Sequence, residues 1–246
     1  MKTIVITGAS SGLGEELARR FAAEGHQVCA LARRADRLKS LEDEYPDHIH
    51  AFPVDISSQE AVADCFKTIG EQFAAVDVLI NNAGYVGGGV VGKDDWSESA
   101  NVIDINLKGT MFCCYGVIPL MKKKQSGRII NISSIASLPG GALPMFQSDD
   151  GTVQTGAYGI SKAGMNAIGE VLGHSLQQSN ITLSTIIPGA IDTPLWYNEK
   201  GECRYPIQGA QLMKASEVAD MICFVASQPN HICYKSITMF PTCEWK

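Results

Sequence analysis

The chain has 246 residues, 45% of them hydrophobic, which suits one large α/β unit with a sheet covered on both faces. Twenty basic against 26 acidic residues give a net charge of −6, and no long basic block occurs, so nucleic acid and anionic membrane are poor principal partners and a small-molecule ligand is expected. No run of 18 apolar residues occurs and Met1 and Lys2 lead directly into an apolar segment, so the expectation is a soluble, cytoplasmic protein without a signal peptide or membrane span.

The first element expected is a buried strand, TIVIT at 3–7. Further short runs rich in branched residues follow at 27–32, 48–54, 76–80, 128–133, 181–187 and 235–240. Between them lie stretches with helical periodicity, clearest at 14–25, 59–73 and 162–178, and Lys122 to Lys124 mark the solvated end of another helix. Strand and helix alternate from end to end. Right-handed crossovers then predict a Rossmann-like, doubly wound sheet of about seven parallel strands, with helices on both faces and ligands beyond the carboxyl ends of the strands. No repeat or linker divides the sequence, so one domain over 1–246 is expected.

Eight cysteines include no CxxC pair or zinc-ligand spacing and read as small buried hydrophobes. Of the five histidines only His48 and His50 lie close enough in sequence to share a metal, and no metal site is expected. The Asn-x-Ser/Thr sequences at Asn131 and Asn180 fall in expected strands and are set aside as glycan acceptors.

Three short segments carry chemistry. TGASSGLG joins the first strand to the first helix. Its glycines, Gly8, Gly12 and Gly14, permit positive φ and close backbone approach, while the helix start favours a pyrophosphate, although the spacing is not GxGxxG. NNAG follows the fourth strand as a turn that borders the same crevice. In YGISK, a phenol and an ammonium stand four residues apart, one turn along a single helix face; spacing alone fits either a solvated pair or a device for proton transfer. At the end of the second strand, where a carboxylate would meet ribose hydroxyls, the chain has Ala32, Arg33 and Arg34. A guanidinium there grips a 2′-phosphate, which selects NADP(H). Asp36 reads as the cap of a helix starting near Arg37.

TGxxxGxG at Thr7 to Gly14, NNAG at Asn81 to Gly84 and YxxxK at Tyr158 to Lys162, in that order, resemble the short-chain dehydrogenase/reductase family over about residues 1 to 240. The resemblance implies Tyr158 as general acid/base, Lys162 as the cation that lowers the phenol's pKa and binds the nicotinamide ribose, Ser134 as the hydroxyl that steadies the substrate oxygen, and Asn106 as the holder of a water in a proton relay. Ser133 is the local rival of Ser134. The implied NADP(H) surface comprises Gly8, Ser10, Ser11, Gly12, Leu13, Gly14, Arg33, Arg34, Asp55, Ile56, Asn82, Ala83, Gly84, Tyr158, Lys162, Pro188, Gly189, Ile191 and Thr193. Arg33 is the preferred phosphate ligand, with a solvated surface charge as the other reading of Arg34.

The sequence departs from the family in one place. Ser134 and Tyr158 are 24 positions apart, about twice the family's usual interval. The extra residues fall within 138–156, where Leu143, Pro144, Met145 and Phe146 either line a pocket mouth, with Asp149 and Asp150 in water, or form a tolerated surface insertion. A second variable segment, 195–209, offers Trp196, Tyr197 and Tyr205 as a cover for an apolar substrate and Lys200 or Arg204 for an anionic one. The expected activity is NADPH-dependent interconversion of a small carbonyl compound and its alcohol. A non-catalytic NADP(H)-responsive binding protein is the alternative. By family analogy the chain forms a dimer or tetramer through its two long central helices.

Overall fold

A computed structural model of the protein describes residues 1–87, 96–138, 156–197, 201 and 211–242. Leu143, Pro144, Met145, Phe146, Asp149, Asp150, Lys200, Arg204 and Tyr205 lie outside the described residues.

Among the described residues, seven strands make one parallel sheet: β1 (Thr3–Thr7), β2 (Gln27–Ala32), β3 (Ile49–Pro53), β4 (Val78–Asn81), β5 (Gly127–Ile132), β6 (Ile181–Pro188) and, after a short pair made by β7 (Ile191–Asp192) and β8 (Met213–Lys214), β9 (Ser236–Met239). The spatial order is β3-β2-β1-β4-β5-β6-β9. The chain winds outward from β1 through β2 to β3, then returns to β4 and winds the other way, so the reversal lies between β1 and β4. Crossover loops leave in opposite directions there, opening a crevice above the strand ends.

The period-2 pleat divides the core into two layers. Ile4, Ile6, Val28, Ala30, Ile130 and Ile132 face α1 (Gly12–Ala23), α2 (Ala35–Glu44) and α7 (Ala215–Ser227). Val5, Cys29, Leu31, Leu79 and Ile129 face α3 (Gln59–Gln72) and α5 (Thr110–Lys124), with α6 (Gly156–Leu176) beside them. Each helix contributes an i, i+4 stripe, as Leu13, Leu17 and Phe21 do on α1. Expected strand ends agree within two residues.

Three local expectations change. The helix expected from Arg37 starts at Ala35, with Arg34 at the N-cap, and Asp36 sits inside its first turn, where a carboxylate complements the helix dipole instead of capping. The helix expected from Lys162 begins at Gly156, so YGISK lies wholly within α6. Asn180 is a left-handed turn residue (φ 52°) before β6, not a strand residue. The short α4 (Trp96–Ile103) runs into α5 through one π-helical turn, Asp104–Gly109, the widened turn that helices place at functional positions. No helix among the described residues is long and apolar enough to cross a membrane.

Candidate active site

A cavity of about 420 Å³ opens at the carboxyl ends of the strands, at the winding reversal. Of the residues singled out in the sequence, Gly8, Ser10, Ser11, Gly12, Leu13, Arg33, Arg34, Asp55, Ile56, Asn82, Ala83, Gly84, Ser134, Tyr158, Lys162, Pro188, Gly189, Ile191 and Thr193 line it. Gly14 and Asn106 are not among its lining residues. Tyr85, Val86, Ile105 and Ile135 also line the wall, and sequence reasoning missed them; for Tyr85 and Val86 the available signal was their position directly after NNAG.

The floor is built by two segments bonded to each other. Thr7, at the last position of β1, presents Oγ1 to the backbone N–H groups of Asn82 (3.1 Å) and Ala83 (3.0 Å), while the Asn82 amide donates to the Thr7 carbonyl at 3.0 Å. Gly8 has φ +70°, which glycine adopts freely, and a side chain there would also press on the Ala83 backbone, its Cβ falling 2.8 Å from Cα. Gly14 brings the first turn of α1 against the same point: a Cβ would overlap the Gly8 carbonyl oxygen and stand 2.5 Å from the Asn82 amide nitrogen. Ser11 occupies the N-cap of α1 without a side-chain cap bond. No side chain therefore occupies the capping role over the first N–H groups of α1, the arrangement that suits a phosphate.

The two arginines behave differently. Arg34 folds onto the Gly-rich turn, its Nε donating to Ser10 Oγ at 3.1 Å and its Nη2 to Ser10 Oγ at 2.9 Å and Ser11 Oγ at 2.7 Å. It is a surface residue that also braces the turn. Arg33 is exposed at the cavity edge, and its charge reaches Asp55. Burial pushes the Asp55 carboxyl upward, yet the bonds from Ser57 N (3.0 Å) and Oγ (2.7 Å), with the Arg33 charge, outweigh it and hold its pKa below the ordinary value.

Lys162 is buried, 3% exposed, and its Nζ lies 5.7 Å from the centroid of the Tyr158 ring. Nζ donates to the Ile132 carbonyl at 2.8 Å, which ties α6 to the end of β5. Burial lowers the lysine pKa from 10.5 to about 8. Gly84 lies beside the ammonium, where a Cβ would stand 3.6 Å from Nζ, an ordinary van der Waals contact. The serines divide their tasks. Ser133 Oγ donates to the Lys162 carbonyl at 3.1 Å and is buried, whereas Ser134 Oγ accepts from the Ala136 N–H at 3.2 Å, which leaves its proton available to donate.

Asn106 sits in the π-helical turn, fully buried, and its side chain is a cross-link. Oδ1 accepts from Tyr85 N at 2.8 Å, and Nδ2 donates to Tyr85 O at 2.9 Å and to Ser161 Oγ at 3.0 Å. Ser161 in turn donates to the Tyr158 carbonyl at 2.7 Å. Both amide protons are thus used, so any water-holding role falls to the Asn106 main-chain carbonyl, which already accepts from Thr110 Oγ1 at 2.7 Å and has a second lone pair.

Known proteins resemble this chain in sequence and in fold. An uncharacterized oxidoreductase of Staphylococcus saprophyticus is 28% identical over 244 residues, covering 98% of this chain and 97% of its own length. One from Staphylococcus epidermidis is 26% identical over 241 residues, with 98% and 97% covered. Among solved structures, the closed form of a serine dehydrogenase complexed with NADP+ has a TM-score of 0.85 at 27% identity, covering 96% of this chain and 94% of that one. The structure of ElxO with NADP bound has a TM-score of 0.84 at 25% identity, with 100% and 99% covered. Residues 2–203 match the family model of the short chain dehydrogenases, and the chain belongs to that family.

Proposed function

We propose that the protein is an NADP(H)-dependent oxidoreductase that interconverts a small carbonyl compound and its alcohol, with Tyr158 as the general acid/base. The observation that carries this reading is the placement of a phenol and a buried ammonium on one face of α6, with Lys162 Nζ 5.7 Å from the centroid of the Tyr158 ring, in the cavity at the winding reversal. The residues present fit the cofactor. The Gly-rich turn and the uncapped start of α1 suit the pyrophosphate, and Arg33 suits the 2′-phosphate while Arg34 braces the turn that would hold it. The serine dehydrogenase and ElxO structures, similar over nearly their whole length, both contain NADP. When bound, the nicotinamide supplies or accepts a hydride.

The chain's own part is the proton. An ordinary tyrosine, with a pKa of about 10, is a poor donor and a worse base near neutrality. An ammonium fixed beside the ring favours phenolate over phenol and moves the hydroxyl toward the working range. Tyr158 Oη then gives its proton to the nascent alkoxide, or removes it in the reverse direction. The Ser134 hydroxyl, whose acceptor side is taken by Ala136 N–H, donates to the same oxygen and orients it. Tyr85, Val86, Ile135, Leu195 and Trp196 make this part of the wall largely apolar, which favours a substrate with an apolar or aromatic body. A non-catalytic binding protein has no need to keep Ser134, Tyr158 and Lys162 together at one cavity.

The test is NADPH oxidation against a panel of aldehydes, ketones and β-keto compounds, followed by absorbance. Tyr158→Phe should lower kcat by about 10²–10⁴-fold while NADPH binding, read by fluorescence titration, stays within about twofold of wild type. Turnover unaffected by the substitution would overturn the assignment.

A further inference from the structure

The chain that leaves the NNAG turn lines the cavity with Tyr85, Val86 and Gly87, and the reaction proposed above gives the Tyr85 ring no task beyond that of a wall. Its main chain is fixed. Asn106 accepts from the Tyr85 N–H at 2.8 Å and donates to the Tyr85 carbonyl at 2.9 Å, so the π-helical turn sets where the residue starts. Only the side-chain torsions remain to aim the ring.

Two contacts on the far side of the ring bear on those torsions. Tyr85 Oη donates to Oε1 of Glu98, in the first turn of α4, at 3.1 Å. A Cβ on Gly87 would stand 2.5 Å from that same Oε1, and 2.8 and 3.0 Å from Cε1 and Cζ of the Tyr85 ring. The carboxylate and the hydroxyl-bearing edge of the ring therefore meet over the Gly87 backbone, in space that any larger residue would take from them. Tyr85 and Glu98 are both half-buried, and a hydrogen bond to a carboxylate is stronger than a neutral one.

A carboxylate in the first turn of a helix also complements the helix dipole, and Glu98 does this for α4. The dipole does not require its oxygen to lie against a phenol over a glycine. Glu98 is not among the cavity-lining residues, so its influence on a bound molecule passes through Tyr85. Its helix packs against α6, which carries Tyr158 and Lys162, so the carboxylate is anchored to the element that holds the acid/base.

We propose that Glu98 is a positioning residue that sets substrate specificity: it holds the Tyr85 ring over Gly87 and so fixes the width of the cavity available to the body of the substrate. The assignment rests on the function proposed above for this cavity. With the ring held, a compact substrate packs against it. With the ring released, the compact substrate loses that contact and a bulkier one gains room.

The experiment uses the full chain with NADPH and a series of methyl ketones whose second substituent grows from ethyl to naphthyl. Glu98→Ala and Tyr85→Phe should each raise KM for the smallest ketone that the wild type reduces by roughly three- to tenfold, with kcat changed less than about twofold, and should shift kcat/KM toward the bulkier ketones. The double variant should be no worse than either single one, because both remove the same bond. Glu98→Gln loses the charge but keeps an acceptor oxygen, so it should stay within about twofold of wild type, which separates the bond from the helix dipole. NADPH affinity should be the same in all four variants. Crystals of the wild type and of Glu98→Ala with NADP+ give a readout that needs no turnover: the Tyr85 ring should lie over Gly87 in the first and leave it in the second. Additive effects in the double variant, Glu98→Gln behaving as Glu98→Ala, or an unmoved ring in the Glu98→Ala crystal would each overturn the proposal. A wild type that reduces no carbonyl compound would instead overturn the reaction, and the ring position in the two crystals would still decide whether Glu98 positions Tyr85.

Discussion

Lys162 sits where an ammonium is expensive to keep. Its folded pKa of about 8 lies below the ordinary 10.5, so between these values the unfolded chain holds more protons than the native one. The lysine's contribution to stability therefore rises with pH through that window, and below pH 8 the burial penalty stands in full, on the order of 3 kcal/mol. Lys162→Met removes the buried charge but also deprives the Ile132 carbonyl of its donor. At pH 7 the variant should be more stable than wild type by about 1–3 kcal/mol, with the gap shrinking toward pH 10, while activity is lost. Urea denaturation at the two pH values checks this, and a gap independent of pH would contradict the burial account. The i, i+4 spacing of Tyr158 and Lys162 was legible in the sequence because it is local. That Lys162 is buried, and that Ser133 and not Ser134 bonds to its backbone, was not, since both depend on where β5 meets α6.

The Gly-rich turn shows how an element depends on its neighbour. A methyl group at Gly14 would drive α1 off the Gly8 carbonyl and the Asn82 amide, both backbone-anchored and unable to yield. Gly14→Ala should cost about 1–3 kcal/mol and weaken NADPH binding at least tenfold, because the helix start and the β4 turn can no longer meet. Gly25→Ala is the control: it has positive φ (+79°) but nothing within 4 Å, so it should cost only about 1 kcal/mol and leave NADPH binding intact. Thermal melts and cofactor titration separate the two. At this scale the strands were readable as short branched runs, whereas the start of α2 was not. Asp36 has the chemistry of a cap, but the chain turns two residues earlier, where Arg34 reaches back to Ser10 and Ser11. The π-helical turn at Asp104–Gly109 was also hidden, because its stabilising partners, Tyr85 and Ser161, lie about 20 and 55 positions away.

Across the whole molecule, α5 and α6 carry large apolar side chains that face solvent in the single chain: Tyr115 on α5, and Ile160 and Val171 on α6, the last two 64% and 66% exposed. Helix faces of this kind are buried when copies associate, which supports the homo-oligomer expected from the family. Val171→Glu, distant in sequence from Tyr158 and Lys162, should shift the mass measured by light scattering toward the monomer without unfolding the chain. An unchanged mass would remove α6 from the interface.

The alternation of strand and helix, the Gly-rich turn, the NNAG turn and the phenol–ammonium pair are all written in contiguous residues, so the sequence by itself determined the doubly wound architecture and most, though not all, of the residues gathered at its crevice. Tertiary structure alone decided which of those residues bear on one another. Arg34 braces the turn and Arg33 remains at the cavity edge, Asn106 spends its amide on Tyr85 and Ser161, and buried Arg128 ties the start of β5 to the main chain beyond α7. The physical reason is that propensity and spacing act over a few residues, while burial, desolvation and hydrogen-bond satisfaction are settled by neighbours brought together from distant parts of the chain.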